Sequence, residues 1–492
     1  MDVLAQLHDA IDRAERRLTD RVASGGPGAI LALLRVRDQL PRPRSPEPDP
    51  ITGTRLVDAG GNLALSLALL AHSEDSAGDE PPSGWAHETL AACDAIALAQ
   101  VVRDHVEAGQ MRLTLGPDGS LVASPATRRG PAAWRERADF DDWAARMPRP
   151  DPAHPDPCTI IRSMGHQPGY PPTTSLGVRT YGDYLAVLAE LIALVSGPRN
   201  SPLVMDEWEL AAAIAESTDR DTDVVLDLLD PFTLSVDNAR WHAAVPGIAA
   251  APLVRLGADR VALSRAGLTS EPLLFLAREL RRRDPETVNN AAVGREDVFR
   301  RDLYALFPDR RFVTSETRLR VRKPGGELRT DIDAAIFDRK TGTLALFELK
   351  SQDPFARSTA ERTRQRDYVL AANRQLSGTL TWIQRHGGGD ILHRMDARTA
   401  KTFQVQRVLP FVLGRYLVHF DDGPDPDKRA AWGTWPHVLR LVNPKDANPL
   451  LSLSERLRKD AAVSPIPEDT PPRDLTIGDL RLTVHPAPHH RP

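Results

Sequence analysis

Residues 328–350 read LRTDIDAAIFDRKTGTLALFELK. Two apolar runs flank a polar turn at 338–342, the pattern of a tight β-hairpin. If the chain reverses around Lys340 and Thr341, positions whose numbers sum to about 681 face each other. Asp333 then lies roughly opposite Glu348, and such cross-strand neighbours have Cβ atoms about 5 Å apart. Side chains alternate faces along a strand, so Asp331 and Asp333 share one face while Ile332, Ala334 and Ile336 take the other. Glu348 and Lys350 likewise share a face, opposite Phe347 and Leu349. Asp333, Glu348 and Lys350 therefore converge at one end of a sheet whose back is apolar.

That arrangement has a chemical use. Two carboxylates a few ångströms apart raise each other's pKa unless a cation lies between them. Hard oxygen donors suit Mg2+ or Mn2+. A bound divalent ion lowers the pKa of its water and stabilises charge on a phosphoryl oxygen. A lysine beside it supplies a point charge for the pentavalent transition state. Carboxylates, metal and lysine together predict hydrolysis of a phosphodiester.

Outward from the hairpin, 295–307 reads as an amphipathic helix with Val298, Phe299, Leu303, Leu306 and Phe307 towards a core. RFVTSETRLRV (311–321) alternates as a strand, and an arginine-rich helix is expected over about 356–383. VQRVLPFVLG (405–414) and RYLVHF (415–420) read as further buried strands. The order is helix, three strands, helix, strand. Residues 295–415 carry 24 Lys+Arg against 15 Asp+Glu, a balance of +9, while the rest of the chain stands at −13. A basic block in an otherwise acidic chain points to a polyanionic partner.

Asp333 in TDIDAAIF and the Glu348-Leu349-Lys350 triplet in LALFELKSQ, set in that order of elements, resemble the PD-(D/E)XK nuclease superfamily, which includes many restriction endonucleases and resolvases. The resemblance covers roughly residues 290–420. It implies an α/β restriction-endonuclease-like core in which Asp333 and Glu348, with the Leu349 carbonyl, bind Mg2+ or Mn2+ and Lys350 is catalytic. Glu296 in GREDVFRRDLYALF stands where a helix-borne acid often joins them. Asp331 is an alternative ligand on the Asp333 face, and Glu316 an alternative source of the extra carboxylate. On the following helix Arg362 and Arg366, four apart, share a face and with Gln365 are candidate nucleic-acid contacts, as is Arg329. The expected activity is a metal-dependent phosphodiesterase, a DNA endonuclease rather than an RNase, in restriction or phage defence. It would act as a homo-oligomer or beside a partner protein of a defence system. The alternative is an inactive nucleic-acid-binding or assembly protein that keeps the nuclease fold.

The remaining chain predicts a multidomain protein, mainly α-helical before the nuclease-like part. Leu4, Leu7, Ile11, Ala14, Leu18 and Val22 form one helical stripe. The divisions expected are a helical region over 1–150, a mostly helical middle with a short hairpin over 151–288, the nuclease-like part over 289–460, and a proline-rich, disordered tail over 461–492. Proline-dense runs at 41–50 and 147–157 read as linkers or breaks. Two cysteines, Cys93 and Cys158, exclude a disulfide framework or a cysteine-rich zinc site. With no secretory start and no long apolar run, the expected setting is the cytoplasm, without a membrane. Only seven lysines occur, none before Lys323, so Lys350 stands out. No dinucleotide fingerprint, Walker motif or nucleophile elbow is present.

Overall fold

The computed structural model describes residues 2–26, 28–39, 59–72, 79–109, 111–126, 170–195, 202–244, 250–269, 272–292, 294–322, 328–351, 359–416, 418, 426–460 and 472–485. It is a mixed helix and sheet structure with a helical N-terminal region. Among the described residues no helix is long and apolar enough to cross a membrane.

Apolar residues three and four apart make Val3–Ser24 (α1) a helix that buries Leu7, Ala10, Ile11, Ala14, Leu18 and Val22. Asp2 caps it, accepting a 3.0 Å hydrogen bond from the Leu4 amide. Ala29–Gln39 (α2), Ala59–Ala71 (α3) and Ser83–Glu107 (α4) pack with it around one core, followed by the antiparallel hairpin Met111–Leu115 (β1) and Leu121–Pro125 (β2).

The middle region holds the short pair Ser175–Leu176 (β3) and Arg179–Thr180 (β4), then the helices Tyr181–Val195 (α5), Glu207–Thr218 (α6), Thr222–Leu229 (α7) and Val236–Ala243 (α8). The expected hairpin is Leu253–Leu256 (β7) with Arg260–Leu263 (β8), but it lies inside a four-stranded sheet. Leu203–Asp206 (β5) and Thr233–Leu234 (β6) complete that sheet, each too short to show an alternating pattern. Arg265–Thr269 (α9), Pro272–Arg283 (α10) and Pro285–Ala292 (α11) follow.

The C-terminal part opens with Arg295–Ala305 (α12). Its five-stranded sheet has the order β15-β14-β13-β12-β9, where β9 is Phe312–Thr314, β12 Ala334–Asp338, β13 Thr343–Lys350, β14 Arg407–Gly414 and β15 Ala431–Thr434. The first three in chain order pair antiparallel, while β13, β14 and β15 run parallel. The hairpin register matches the expected one, Ala334 facing Phe347. Its turn is fixed by Asp338, which accepts from the Lys340 amide (3.0 Å), the Thr341 hydroxyl (2.7 Å) and Arg311 Nε (2.6 Å). Gly342 closes it at φ +64°, and a Cβ there would meet Gln406 Cγ at 2.5 Å.

Two expected strands are broken. The run 311–321 divides into β9 and Leu319–Arg322 (β10), and the run 328–338 divides at Asp333 into Leu328–Ile332 (β11) and β12. β10 and β11 form a separate two-stranded ribbon with Leu319 facing Ile332. The break resets the alternation. Ile332 packs with Val321, Ala335 and Phe337, whereas Ala334 and Ile336 join Phe299 and Phe347 on the other face.

Neither face of the sheet is bare. α12, Trp435–Leu441 (α16) and Pro449–Asp460 (α17) cover the Phe347 face. Thr359–His386 (α13) and Gly388–Met395 (α14) cover the other, and Ala397–Thr402 (α15) follows them. Of the strand expected at 415–420, Arg415, Tyr416 and Val418 are described and lie in no strand, and 417, 419 and 420 fall outside the described residues. The tail over 461–492 is not wholly disordered, a correction to the composition reading. Arg473–Ile477 (β16) and Leu480–Val484 (β17) form a hairpin, and β17 pairs parallel with β2. Leu475, Ile477, Leu482 and Val484 enter the same core as Leu7 and Ile11, so apolar burial outweighs the flanking prolines.

Candidate active site

Asp333 sits at the break between β11 and β12, and Glu348 and Lys350 end β13 on the sheet face covered by α13. All three are buried, 2%, 6% and 4% exposed respectively. Asp333 Oδ2 accepts a 2.9 Å hydrogen bond from the Leu349 amide, which ties the two strand ends together where ladder pairing stops. Arg300, on α12, donates to the Asp333 carbonyl at 3.2 Å. Lys350 Nζ donates to Glu348 Oε1 at 2.5 Å and to Gln375 Oε1, on α13, at 3.0 Å.

Glu296, in the first turn of α12, reaches the same place. It accepts from the Tyr368 hydroxyl at 2.5 Å and from Arg318. Arg318 also meets Asp331 Oδ2 at 3.0 Å and Asp333 Oδ1 at 3.1 Å. Lys350 Nζ stands 5.1 Å from the Tyr368 ring centroid. Among the described residues the cluster thus joins Glu296, Asp331, Asp333 and Glu348 to the cations Arg318 and Lys350.

Burial sets the titration of the site first, and the closeness of its carboxylates second. Burial pushes the Asp333 carboxyl up, and the charge of Glu296 adds to it. Burial also pushes Glu348 up, with Asp333 next. Burial disfavours the Lys350 ammonium, yet Glu348 and Asp333 outweigh it and hold its pKa above the ordinary value. Tyr368 rises through burial and the nearby Glu296. Raised pKa values on both members of the Lys350–Glu348 pair pull opposite ways for that one contact. Burial comes first in raising Glu348, with Asp333 next, while Glu348 and Asp333 together keep the lysine charged against its burial.

The structure brings Asp333, Glu348, Lys350, Glu296 and Asp331 together. Glu316 is exposed and forms no ion pair among the described residues. Arg366 turns to its neighbour Asp367 (3.1 Å), and Gln365 is half-buried on the same helix. The side chains of Arg329 and Arg362 lie outside the described residues. Sequence reasoning missed Arg318, Arg300 and Gln375. Gln375 carried a signal, since it follows Tyr368 by seven residues, two turns along one helix face. Arg318 carried none, because its position depends on the break between β9 and β10.

Among the described residues no group of three or more His, Cys, Asp or Glu is arranged to hold a metal ion. Of the four carboxylates, Asp333 and Glu348 are the two buried ones on adjacent strand ends. Mg2+ is commonly held by one or two carboxylates with water and substrate phosphate completing its shell, and these two are the donors such an ion would use. The chain matches no protein-family model, no curated protein and no solved structure at a significant level.

Proposed function

We propose that this chain is a metal-dependent phosphodiesterase acting on nucleic acid, a DNA endonuclease with a PD-(D/E)XK-type core over about residues 290–420. The observation that carries the reading is the buried trio Asp333, Glu348 and Lys350 at adjoining strand ends. The basic balance of 295–415 supports a polyanionic substrate.

Asp333 and Glu348, with the Leu349 carbonyl, are the residues to hold a divalent cation. Bound there, the ion would supply a water of lowered pKa and a counter-charge for the phosphoryl oxygens. Lys350 has a distinct task. Glu348 and Gln375 fix its ammonium, so it presents a preoriented positive charge to negative charge that grows on the phosphate. The Leu349 amide holds the Asp333 carboxylate at the strand end. Glu296, held by Tyr368 and Arg318, adds a further acceptor for a proton or a water at the site. A role in restriction or phage defence, with a partner protein or a second copy, extends this reading by analogy with the superfamily.

A second reading has one observation in its favour. The Arg318 guanidinium fills the carboxylate cluster, as it would in a nucleic-acid-binding protein that keeps the architecture without cutting. One assay separates the two. Supercoiled, linear and single-stranded DNA are incubated with the full chain in Mg2+, Mn2+ or chelator, alongside Lys350→Ala and Asp333→Ala. The nuclease reading expects metal-dependent cutting that falls roughly 10^2–10^3-fold in either variant. Binding without cutting under every metal favours the second reading, and equal cutting by all three proteins removes the catalytic assignment.

A further inference from the structure

Each guanidinium nitrogen of Arg318 addresses a different acid. Nε faces Asp333 Oδ1 at 3.1 Å, one terminal nitrogen faces Asp331 Oδ2 at 3.0 Å, and the other meets Glu296. A guanidinium is a planar fork with five donors, suited to bind several carboxylates at once. The acids therefore converge on one point, and a delocalised positive charge fills it. The three partners come from different elements: Glu296 from α12, Asp331 from β11, and Asp333 from the bend before β12.

The two cations of the cluster differ in how firmly they are held. The Lys350 side chain is 5% exposed and bonded to Glu348 and Gln375. Arg318 is 34% exposed although its partner Asp333 is only 3% exposed. It can swing to solvent by side-chain rotation while the apolar core beneath stays closed. Lys350 has no such exit. Asp333 Oδ2 accepts from the Leu349 amide while Oδ1 faces Arg318, so a second cation approaching Oδ1 meets the guanidinium first.

We propose that Arg318 is the resident cation of the carboxylate cluster, and that it leaves Asp333 Oδ1 when a divalent metal binds there. The inference rests on the metal-dependent reading above. Its consequence is a metal affinity set partly by the arginine, because the binding-competent form is the one in which Arg318 has let go. The expelled guanidinium then stands at the mouth of the site, where it meets a phosphate better than an ammonium would.

The test is Mn2+ binding to the full chain, by calorimetry and by the loss of the free-Mn2+ electron paramagnetic resonance signal, without DNA. Arg318→Gln removes the competitor and is expected to tighten Mn2+ binding about tenfold, the worth of one charge-assisted hydrogen bond. Arg318→Lys keeps the charge but not the fork, and is expected to tighten binding about threefold. Should Arg318→Gln fail to fold, judged by circular dichroism, Arg318→Lys carries the test alone. Arg318→Lys equal to wild type means that charge, not occupancy, sets the affinity, and overturns the exchange. Weaker binding by either folded variant overturns it too. Absence of Mn2+ binding by wild type and variants alike removes the metal-dependent reading, and the exchange falls with it. Binding by wild type with no gain in the variants removes only the exchange.

Discussion

Glu279 in the middle region and Glu348 in the C-terminal sheet are both buried carboxylates in contact with a cation, yet their pKa values move in opposite directions. Around Glu279, on α10, there are more donors than acids. Arg282 reaches it with Nε at 3.0 Å and a terminal nitrogen at 2.6 Å, Arg283 Nε approaches at 3.1 Å, and His242 Nε2, from α8, lies 3.2 Å away. Burial pushes Glu279 up, but hydrogen bonds from His242 and Arg282 outweigh it and hold the carboxyl well below the usual range. An ionised Glu279 requires His242 to present its Nε2 hydrogen. That leaves Nδ1 bare, and it has no partner among the described residues. Burial keeps the imidazole pKa low, and Phe275 stacks on the ring at 4.7 Å. Around Glu348 burial and the neighbouring Asp333 outweigh Lys350 and hold the carboxyl above the usual range. One cluster satisfies its carboxylate and holds α8 to α10. The other stores unfavourable charge, as sites that bind or react with charged ligands do.

The largest stability effect is expected at the Glu279 cluster. Glu279→Ala leaves Arg282, Arg283 and the buried His242 without their common acceptor, so a loss of about 3–5 kcal/mol is expected in urea unfolding. A loss below about 1 kcal/mol would show that the arginines simply turn to solvent and would erase the contrast. Asp333→Asn should do the reverse. Because the site raises the Asp333 pKa, a neutral amide removes a charge that the fold disfavours at neutral pH. The variant is expected to be more stable than wild type without metal by roughly 1–3 kcal/mol, while losing cleavage. A destabilised Asp333→Asn would mean that the Arg318 contact outweighs the burial of the acid.

Titration sharpens the same contrast at a smaller scale. Asp333 and Glu348 are raised, so as pH climbs above about 4 the unfolded chain ionises first and the folded state loses stability until the folded pKa values are passed. Glu279 and His242 are lowered. Their contribution is complete above the ordinary histidine pKa of about 6.5 and declines as pH falls. The two slopes oppose each other between about pH 4 and 6.5 in wild type. In Asp333→Asn the acid-side decline should steepen by about 1 kcal/mol per pH unit, read from urea midpoints at several pH values. An unchanged slope would place the proton uptake outside Asp333.

How much of this was legible before the fold was known differs along the same hairpin. The pairing of β12 with β13 followed from two short apolar runs on either side of a polar turn that Asp338 and Gly342 fix. The break at Asp333 did not follow, since no Gly or Pro interrupts 328–338 and only tertiary pairing assigns its first half to β10. Arg318 was hidden for that reason. The β16–β17 hairpin shows another limit. Leu475, Ile477, Leu482 and Val484 alternate around Gly478 and Asp479, the expected hairpin signal, but Pro465, Pro467, Pro471 and Pro472 just before it read as a disordered tail. Its packing partner is the N-terminal core, over 300 residues away in sequence.

The smallest expected effect lies where the carboxylate cluster meets α13. Tyr368 donates to Glu296 at 2.5 Å, and its ring stands 5.1 Å from Lys350 Nζ. Tyr368→Phe keeps the ring beside the ammonium and removes only the hydroxyl, while Glu296 retains Arg318. Losing one hydrogen bond of this kind corresponds to about 1 kcal/mol, so cleavage should fall by less than about tenfold. Tyr368→Ala also removes the ring and should fall further, by the roughly 0.5–2 kcal/mol that a cation over an aromatic face contributes. Equal losses in the two variants would assign the effect to the hydroxyl, and so to the orientation of Glu296. A Tyr368→Phe loss above about 100-fold exceeds what one positioning hydrogen bond supplies. It would put the phenol in contact with the reacting phosphate and extend the reactive cluster from the strand ends onto the helix.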